Sequence, residues 1–332
     1  MSENIKNRRA NTKLPEKIGR YEIIEEAGRG ASAYVFKAYD PHLQRNLAIK
    51  VLRTELGYDA EYRTAFIREG RLSAKLIHPG IVTIFDVGVF NKKLYIVMEL
   101  MEGFSFERIL KTLGKVSLHT IMEMALQLSR ALHYAHEQGV IHRDIKPANI
   151  IVLIDNKTVK LMDFGIAHLN NTYGTATKET DRVTGTPEYM APEQVTGKSM
   201  DNRSDLYSFG ILLYQLLNGT PPFVNTNLGL LFHQIINTKP KIELLREKIE
   251  DKKIADELLA LISKLLEKDP DKRYQKASDV TIDLQQINNK LAGKESTAET
   301  SKSSSMGRVA IITGAIIVAL SISAAVYSFF LA

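Results

Sequence analysis

The sequence predicts an α+β chain: a small β-rich lobe leading into a larger helical lobe, with one membrane-spanning helix at the C-terminal end. Three observations carry this prediction. Between residues 21 and 100, apolar residues fall in short runs of strand type. After Gly103 the apolar spacing changes to the three-and-four repeat of helices, and residues 309 to 332 contain no charged residue at all. With 332 residues, 44% of them hydrophobic, the chain can bury a core larger than one compact domain usually holds.

The first twenty residues hold six Lys/Arg against two Glu, so most of the formal charge of +6 sits in this tail and the rest is close to neutral. A nucleic-acid groove needs clustered Lys/Arg along the folded part, so no nucleic-acid partner is expected. The tail reads as a solvated segment, with anionic lipid as its alternative contact. The absence of cysteine excludes a disulfide framework, a thiolate nucleophile and a Cys-type zinc site. His133, His136 and His142 have a spacing that raises metal binding, but no cysteine or carboxylate pattern accompanies them.

Strand-like runs follow in order: "YEIIEEAG", "AYVFKAYD", "NLAIKVL", "IVTIFDVG" and "LYIVMEL", interrupted by one helical stretch around 61 to 77. In "LHTIMEMALQLSRALHYAHEQG", Leu118, Ile121, Ala125, Leu128, Leu132 and Ala135 share a face, with Gly139 placed as a C-terminal cap. Residues 204 to 219 are apolar nearly all round, which predicts a buried central helix; 254 to 270 form an amphipathic helix that ends before Pro270. Residues 290 to 308 are small and polar and read as a flexible linker. The final 24 residues reach ~36 Å as a helix against a hydrocarbon core of ~30 Å, so they span a bilayer. Lys302 and Arg308 on the entry side place residues 1 to 308 in the cytosol, and no outside domain is expected. Ala315, Ala319 and Ser323 recur on one face, where small side chains permit self-association. A ligand is expected in the cleft between the lobes.

The chemistry gathers in a few stretches. "EEAGRGASAYVFKA" places Gly28 and Gly30 between two strands, where backbone amides can approach a polyphosphate; an ordinary Gly-rich hairpin explains it equally well. "LAIKVL" sets Lys50 among apolar strand neighbours, and Glu69, on the helix that follows, is its expected partner. In "HRDIKPANIIV", five polar residues crowd the mouth of a strand, and "VKLMDFGIAH" ends another strand on Asp163. Asn149 and Asp163 at adjacent strand mouths are hard oxygen ligands of the kind Mg²⁺ takes. Asp144 can accept the proton of an attacking hydroxyl, and Lys146 can balance charge on a transferred phosphoryl group.

"LAIK", "HRDIKPAN", "DFG" and "APE", in this order and spacing, resemble the protein kinase motif set over roughly residues 21 to 289. The resemblance implies the bilobal kinase fold, ATP as phosphoryl donor and Mg²⁺ or Mn²⁺ as metal. It further implies Gly28, Arg29, Gly30, Ala31, Ser32, Ala33 and Val35 as the nucleotide lid, with Ala48 beside it. Lys50 would hold the phosphates with Glu69 as its partner, Met98 would be gatekeeper, and Glu99 to Met101 the adenine hinge. Asp144 and Lys146 would be catalytic, and Asn149 and Asp163 would bind metal. Glu193 would pair with Arg273, and Asp205 would anchor the catalytic loop. Lys146 and Thr186 are similar to serine/threonine rather than tyrosine kinases. "HPGIVTIFDVG" followed by a single span resembles bacterial membrane kinases of the Hanks type, which act on Ser/Thr hydroxyls of proteins.

Ala33 departs from the pattern by replacing the third lid glycine, for which altered lid mobility is expected. Between Asp163 and Glu193 lies a threonine-rich loop, in which Thr177 and Thr180 are the favoured autophosphorylation sites, with Arg143 as their counter-charge. Two other readings stand beside active transfer: a docking scaffold of the same fold, and a dinucleotide oxidoreductase suggested only by Gly28 and Gly30. Lys50, Asp144, Asn149 and Asp163 together argue for catalysis.

Overall fold

The structure is a computed structural model that describes residues 15–30, 33–52, 60–114, 116–155, 157–164 and 187–302. Residues 309 to 332 lie outside it, as do Ala31, Ser32, Thr177, Thr180 and Thr186.

The first lobe is a six-stranded antiparallel sheet in the order β1-β2-β3-β4-β6-β5. Its strands are β1 (Lys17–Ile18), β2 (Tyr21–Arg29), β3 (Ala33–Asp40), β4 (Arg45–Leu52), β5 (Ile84–Phe90) and β6 (Lys93–Met98). Helix α1 (Ala60–Ser73) crosses between β4 and β5. Period-two alternation gives the sheet two apolar faces. Leu52, Leu94 and Ile96 pack with Tyr62 and Phe66 of α1, while Phe36, Ala38, Leu47, Ile49 and Val97 form a second cluster with Ile18 and Tyr21. Helix and sheet meet closely at Gly70, where a Cβ would lie 2.6 Å from Val87 Cγ1.

The second lobe begins with β7 (Gly103–Ser105), α2 (Phe106–Leu113) and α3 (Leu118–Glu137). Ser117 caps α3 by accepting from Thr120 N, and the predicted face is buried from Ile121 to Ala135; Leu118 is half-buried. Gln138 ends the helix and Gly139, at φ 71°, takes the left-handed turn beyond it. Strands β8 (Ile150–Leu153) and β9 (Val159–Leu161) complete a small sheet with β7. The short α4 (Pro192–Val195) precedes α5 (Asn202–Asn218), which is buried on nearly every side from Ser204 to Tyr214, as its composition predicts. Helices α6 (Leu228–Asn237), α7 (Lys252–Leu265) and α8 (Ala277–Lys302) follow.

Two boundaries differ from expectation. Helix α7 stops at Leu265 rather than running to Pro270, because the carbonyls of Glu267 and Lys268 turn to accept hydrogen bonds from the Arg273 guanidinium. Helix α8 continues to Lys302, through the first part of the stretch read as a flexible linker. Ala292, Lys294, Glu295, Ala298 and Glu299 are good helix formers, and the single Gly293 is too weak a breaker to stop them. Among the described residues no helix is long and apolar enough to cross a membrane.

Candidate active site

Strand pairing assembles the site. Because β8 and β9 run antiparallel, with Ile150 opposite Leu161, the residue before β8 and the residues after β9 emerge at the same end. Met162 N donates to Asn149 O at 2.9 Å, so Asn149 and Asp163 are brought side by side. Val82 N donates to Leu161 O at 3.0 Å and Leu161 N to Gly80 O at 2.9 Å, which ties the segment entering β5 to the same strand mouth.

The five polar residues of "HRDIKPAN" are sorted by this arrangement. His142 is fully buried, its ring 4.5 Å from that of Phe164. Its Nδ1 accepts from Asp144 N at 3.2 Å, so its Nε2 carries the proton donated to Met162 O at 2.8 Å. This histidine therefore links the two strand mouths. Asp144 Oδ2 receives the Lys146 ammonium at 2.7 Å and Asn149 Nδ2 at 2.8 Å. Asn149 Nδ2 also donates to the Asp144 carbonyl at 2.8 Å, and this use of the amide nitrogen leaves its side-chain oxygen for a cation. Pro147 opens the single 3₁₀ turn (Pro147–Asn149) that sets this spacing.

Arg143, with φ 68°, is a non-glycine residue in the left-handed region, a conformation that costs of order 1–3 kcal/mol and has to be imposed from outside. Asp205 imposes it: Oδ1 accepts Arg143 N at 2.7 Å and Oδ2 accepts His142 N at 2.8 Å, while Gln194 Nε2 donates to the Arg143 carbonyl at 3.1 Å. Burial works against the charge of Asp205, but hydrogen bonding and attraction from His136 and His142 outweigh it and hold its pKa below the ordinary value. The Arg143 Nε is buried without a partner among the described residues.

Lys50 and Glu69 do not pair. Lys50 Nζ sits 2.5 Å from Asp163 Oδ2, and Glu69 receives Arg68 at 3.3 Å instead. Asp163, at φ 68°, turns its carboxylate toward β4, and an ammonium takes the carboxylate nearest to it. Lys50 and Asp163 are both largely buried. The Glu99 side chain accepts Thr83 N at 3.0 Å and pairs with Lys160 at 2.6 Å, and its own N–H donates to Thr83 O at 3.0 Å. Only its carbonyl is left to serve as a hinge acceptor.

An apolar cradle lies beside these groups. Ala48, Val82 and Met98 form a buried cluster, joined by Val35, Leu100, Met101 and Met162. These residues come from β3, β4, β6 and the segments before β5, after β6 and after β9, so apolar side chains of both lobes meet beside the charged groups. The lid strands pair Gly28 with Val35 and Arg29 with Tyr34, and Gly30 N donates to Ala33 O at 2.9 Å. The Ala33 methyl is buried with Leu52, Tyr62 and Phe66. Its position in the lobe core is the physical reason an alanine is held where a lid glycine was expected.

Glu193 and Arg273 form a buried bidentate pair at 2.6 and 2.8 Å, and Ser204 Oγ adds a third bond to Glu193 at 2.7 Å. All five guanidinium protons are used, the others by the carbonyls of Glu267, Arg203 and Lys268. Burial opposes the Glu193 charge, but Arg273 holds its pKa below the usual value. Sequence reasoning missed His136, Lys160, Gln194, Met162 and Val82, none of which belongs to a dense polar motif. It also missed Lys268, which bonds Tyr207 at 3.0 Å and whose pKa burial and Arg273 lower to about 8.

A β-rich lobe and a helical lobe that bring together a lysine–aspartate pair, a clamped aspartate and an apolar cluster define the class of the protein kinases. The protein kinase domain model matches residues 21–284. The chain belongs to the protein kinase family. It is 40% identical over 271 residues to a probable serine/threonine-protein kinase of Streptomyces coelicolor, covering 80% of this chain and 40% of that protein. It is 37% identical over 274 residues to the serine/threonine-protein kinase PknB of Mycobacterium tuberculosis, covering 81% and 43%. The chain thus spans about two fifths of the length of these relatives. Among solved structures, the Mycobacterium tuberculosis PknI kinase domain superposes with a TM-score of 0.68 at 24% identity, covering 83% of this chain and all of that one. Rad53 1–466 in complex with AMP-PNP gives 0.64 at 28% identity, covering 79% and 64%.

Proposed function

We propose that the chain is a serine/threonine protein kinase that transfers the γ-phosphoryl group of ATP to hydroxyls of protein substrates. The observation that carries this reading is the Asp144 carboxylate held between Lys146 and Asn149, beside the strand mouth where Asp163 pairs with Lys50. The residues fit the groups the reaction needs. The apolar slot around Ala48 and Met98 would receive the base, Lys50 the phosphates, and the oxygens of Asn149 and Asp163 a Mg²⁺ or Mn²⁺ ion. When bound, the metal supplies neutralising charge on the phosphates.

Asp144 accepts the proton as the acceptor oxygen bonds to phosphorus and the bond from that phosphorus to the ADP oxygen breaks. Lys146, beside it, holds negative charge in place. A groove lined by Glu107, Leu110, Lys146, Pro147, Ala148 and Tyr189 opens beside this pair and offers the acceptor chain its approach. Arg143 is the counter-charge for phosphate on Thr177 or Thr180, and its buried Nε, without a partner among the described residues, supports that role. The further parts of the proposal are a bilayer anchor at residues 309 to 332, a cell-membrane location with the catalytic lobes cytosolic, and self-association through Ala315, Ala319 and Ser323.

The test is radiolabelled transfer from ATP by the 332-residue chain and its Asp144→Asn variant, followed by phosphosite mapping. Transfer to Ser/Thr by the parent and a fall of at least ~100-fold in the variant are expected. Equal labelling by both, or label on tyrosine alone, refutes the reading.

A further inference from the structure

The sheet of the first lobe has two apolar faces, and their coverings differ. Leu52, Leu94 and Ile96 pack with side chains of α1, whereas every member of the second cluster among the described residues comes from a strand. That second face opens into a groove of about 240 Å³, walled by Tyr34, Phe36, Val51, Phe90 and Tyr95, with Pro15 and Ile18 at its β1 edge. An apolar cavity of ~150 Å³ takes a benzene ring, so this groove has room for a large aliphatic side chain. Tyr34, Phe90 and Tyr95 stay half-buried, so the strands alone do not close the face, and apolar surface left against water favours a cover.

The chain itself runs up to this groove. Pro15 belongs to its lining, and residues 1 to 14, outside the described ones, lead into Pro15. Strand β1 enters antiparallel to β2, with Lys17 opposite Glu22 and Ile18 opposite Tyr21. Ile23 N donates to Glu16 O at 3.0 Å, so the pairing continues backward past the start of β1. In the same register Pro15 falls opposite Ile24, next to the bonded pair, where a missing N–H costs no ladder bond. Traced further back, the path runs beside Glu25 and Glu26 of β2. Glu25 is 62% exposed, with Lys37 3.7 Å away.

The stretch that would follow this path, "MSENIKNRRANTKL", ends on Leu14 and carries four Lys/Arg against one Glu. Strand alternation gives Leu14 the face of Ile18, four positions on, which is the groove face, and gives Lys13 the face of Lys17. We propose that the segment immediately before Pro15 covers this side of the sheet, with Leu14 filling the groove and Lys13 meeting Glu25. The basic tail is then docked on the lobe at its inner end. The inference goes beyond the kinase reading and does not rest on it.

The chain contains no cysteine, so each introduced thiol reports on one position. Maleimide labelling is compared for Leu14→Cys and Lys13→Cys in the 332-residue chain, with vesicles of phosphatidylcholine and phosphatidylglycerol present. A thiol seated in the groove should react roughly tenfold more slowly than its outward neighbour, and adding Phe90→Glu to Leu14→Cys should abolish the difference. Photo-crosslinking from p-benzoylphenylalanine in place of Phe90, in a mixture of isotopically heavy and light chains, identifies the occupant. Adducts to residues 9 to 14 within one chain are expected. Leu14→Asp should lower the thermal midpoint by about 3–6 °C, and Leu14→Met should leave it within about 1 °C of the parent.

Equal labelling of the two thiols overturns the proposal, as does an unchanged midpoint in Leu14→Asp. Adducts that join a heavy to a light chain make a second copy the occupant, adducts to phospholipid make it the bilayer, and no adduct with the tail leaves the groove without this cover; each of these overturns it too. If Phe90→Glu does not fold, the comparison of Leu14→Cys with Lys13→Cys decides alone.

Discussion

Replacing Arg273 with Met tests how the helical lobe is held together. The guanidinium is fully buried and uses its five protons on Glu193 and three backbone carbonyls. Met fills much of the space but leaves the buried Glu193 carboxylate with only neutral donors, Ser204 Oγ at 2.7 Å and its own backbone N–H. Breaking a buried ion pair from one side costs about 3–5 kcal/mol, a large part of the ~5–15 kcal/mol that holds a typical domain folded. At roughly 2–4 °C per kcal/mol for a domain of this size class, the unfolding midpoint should fall by about 6–20 °C.

The assay is thermal denaturation by circular dichroism at pH 7, with Glu193→Leu/Arg273→Met beside it. Removing both charges should recover more than half of the loss, because the cost lies in the orphaned charge. Glu193 has its folded pKa held below 4.5, so its share of stability is present above that value and is lost as pH falls through the folded pKa. The parent should therefore lose stability in that acid window, and the double variant should lose less of it. A midpoint shift below about 2 °C for Arg273→Met, or a double variant worse than the single, refutes the reasoning.

Ala33→Gly should destabilise the first lobe by about 1–2 kcal/mol, because it removes a buried methyl and loosens a strand, without tightening ATP binding; denaturant unfolding and nucleotide titration check both parts. Gly103→Ala would put a Cβ 2.3 Å from the Val152 carbonyl oxygen, a backbone atom that cannot step aside. It should cost about 1–3 kcal/mol in chemical denaturation by forcing β7 from β8. Lys268 has a folded pKa of about 8 against 10.5 unfolded, so the unfolded chain binds more protons between these values and stability from this group rises with pH there. Unfolding at pH 8 and pH 9.5 should show the parent gaining on Lys268→Met, by less than the ~1.4 kcal/mol per pH unit that a fully buried group could give; a difference independent of pH removes the assignment.

The elements and polar clusters were legible in the sequence because they rest on local rules. Period-two runs marked the sheet, and the apolar circumference of residues 204 to 219 marked the buried α5. The crowding of His142, Arg143, Asp144, Lys146 and Asn149 ahead of an apolar strand marked the polar loop that enters β8. Glu193 with Arg273, and Asp205 with the loop backbone, followed from the motif resemblance and meet as expected.

Which charge meets which was decided by tertiary structure. Spacing allowed Lys50 to pair with Glu69, but the left-handed turn at Asp163 puts a closer carboxylate in its reach. The Glu99 side chain meets Lys160, 61 positions away, only through folding. Lys268 gave no signal and His136 only a spacing that raised metal binding, since a lone lysine or histidine in an amphipathic pattern normally faces water. What distinguishes them is burial beside Tyr207 and Asp205, residues 61 and 69 positions away in the chain. By itself the sequence determined the two kinds of lobe and the residue types brought to the cleft, because backbone periodicity and strand mouths are local. The pairing of their charges was decided only when distant segments met, because electrostatic partners are chosen by distance in space.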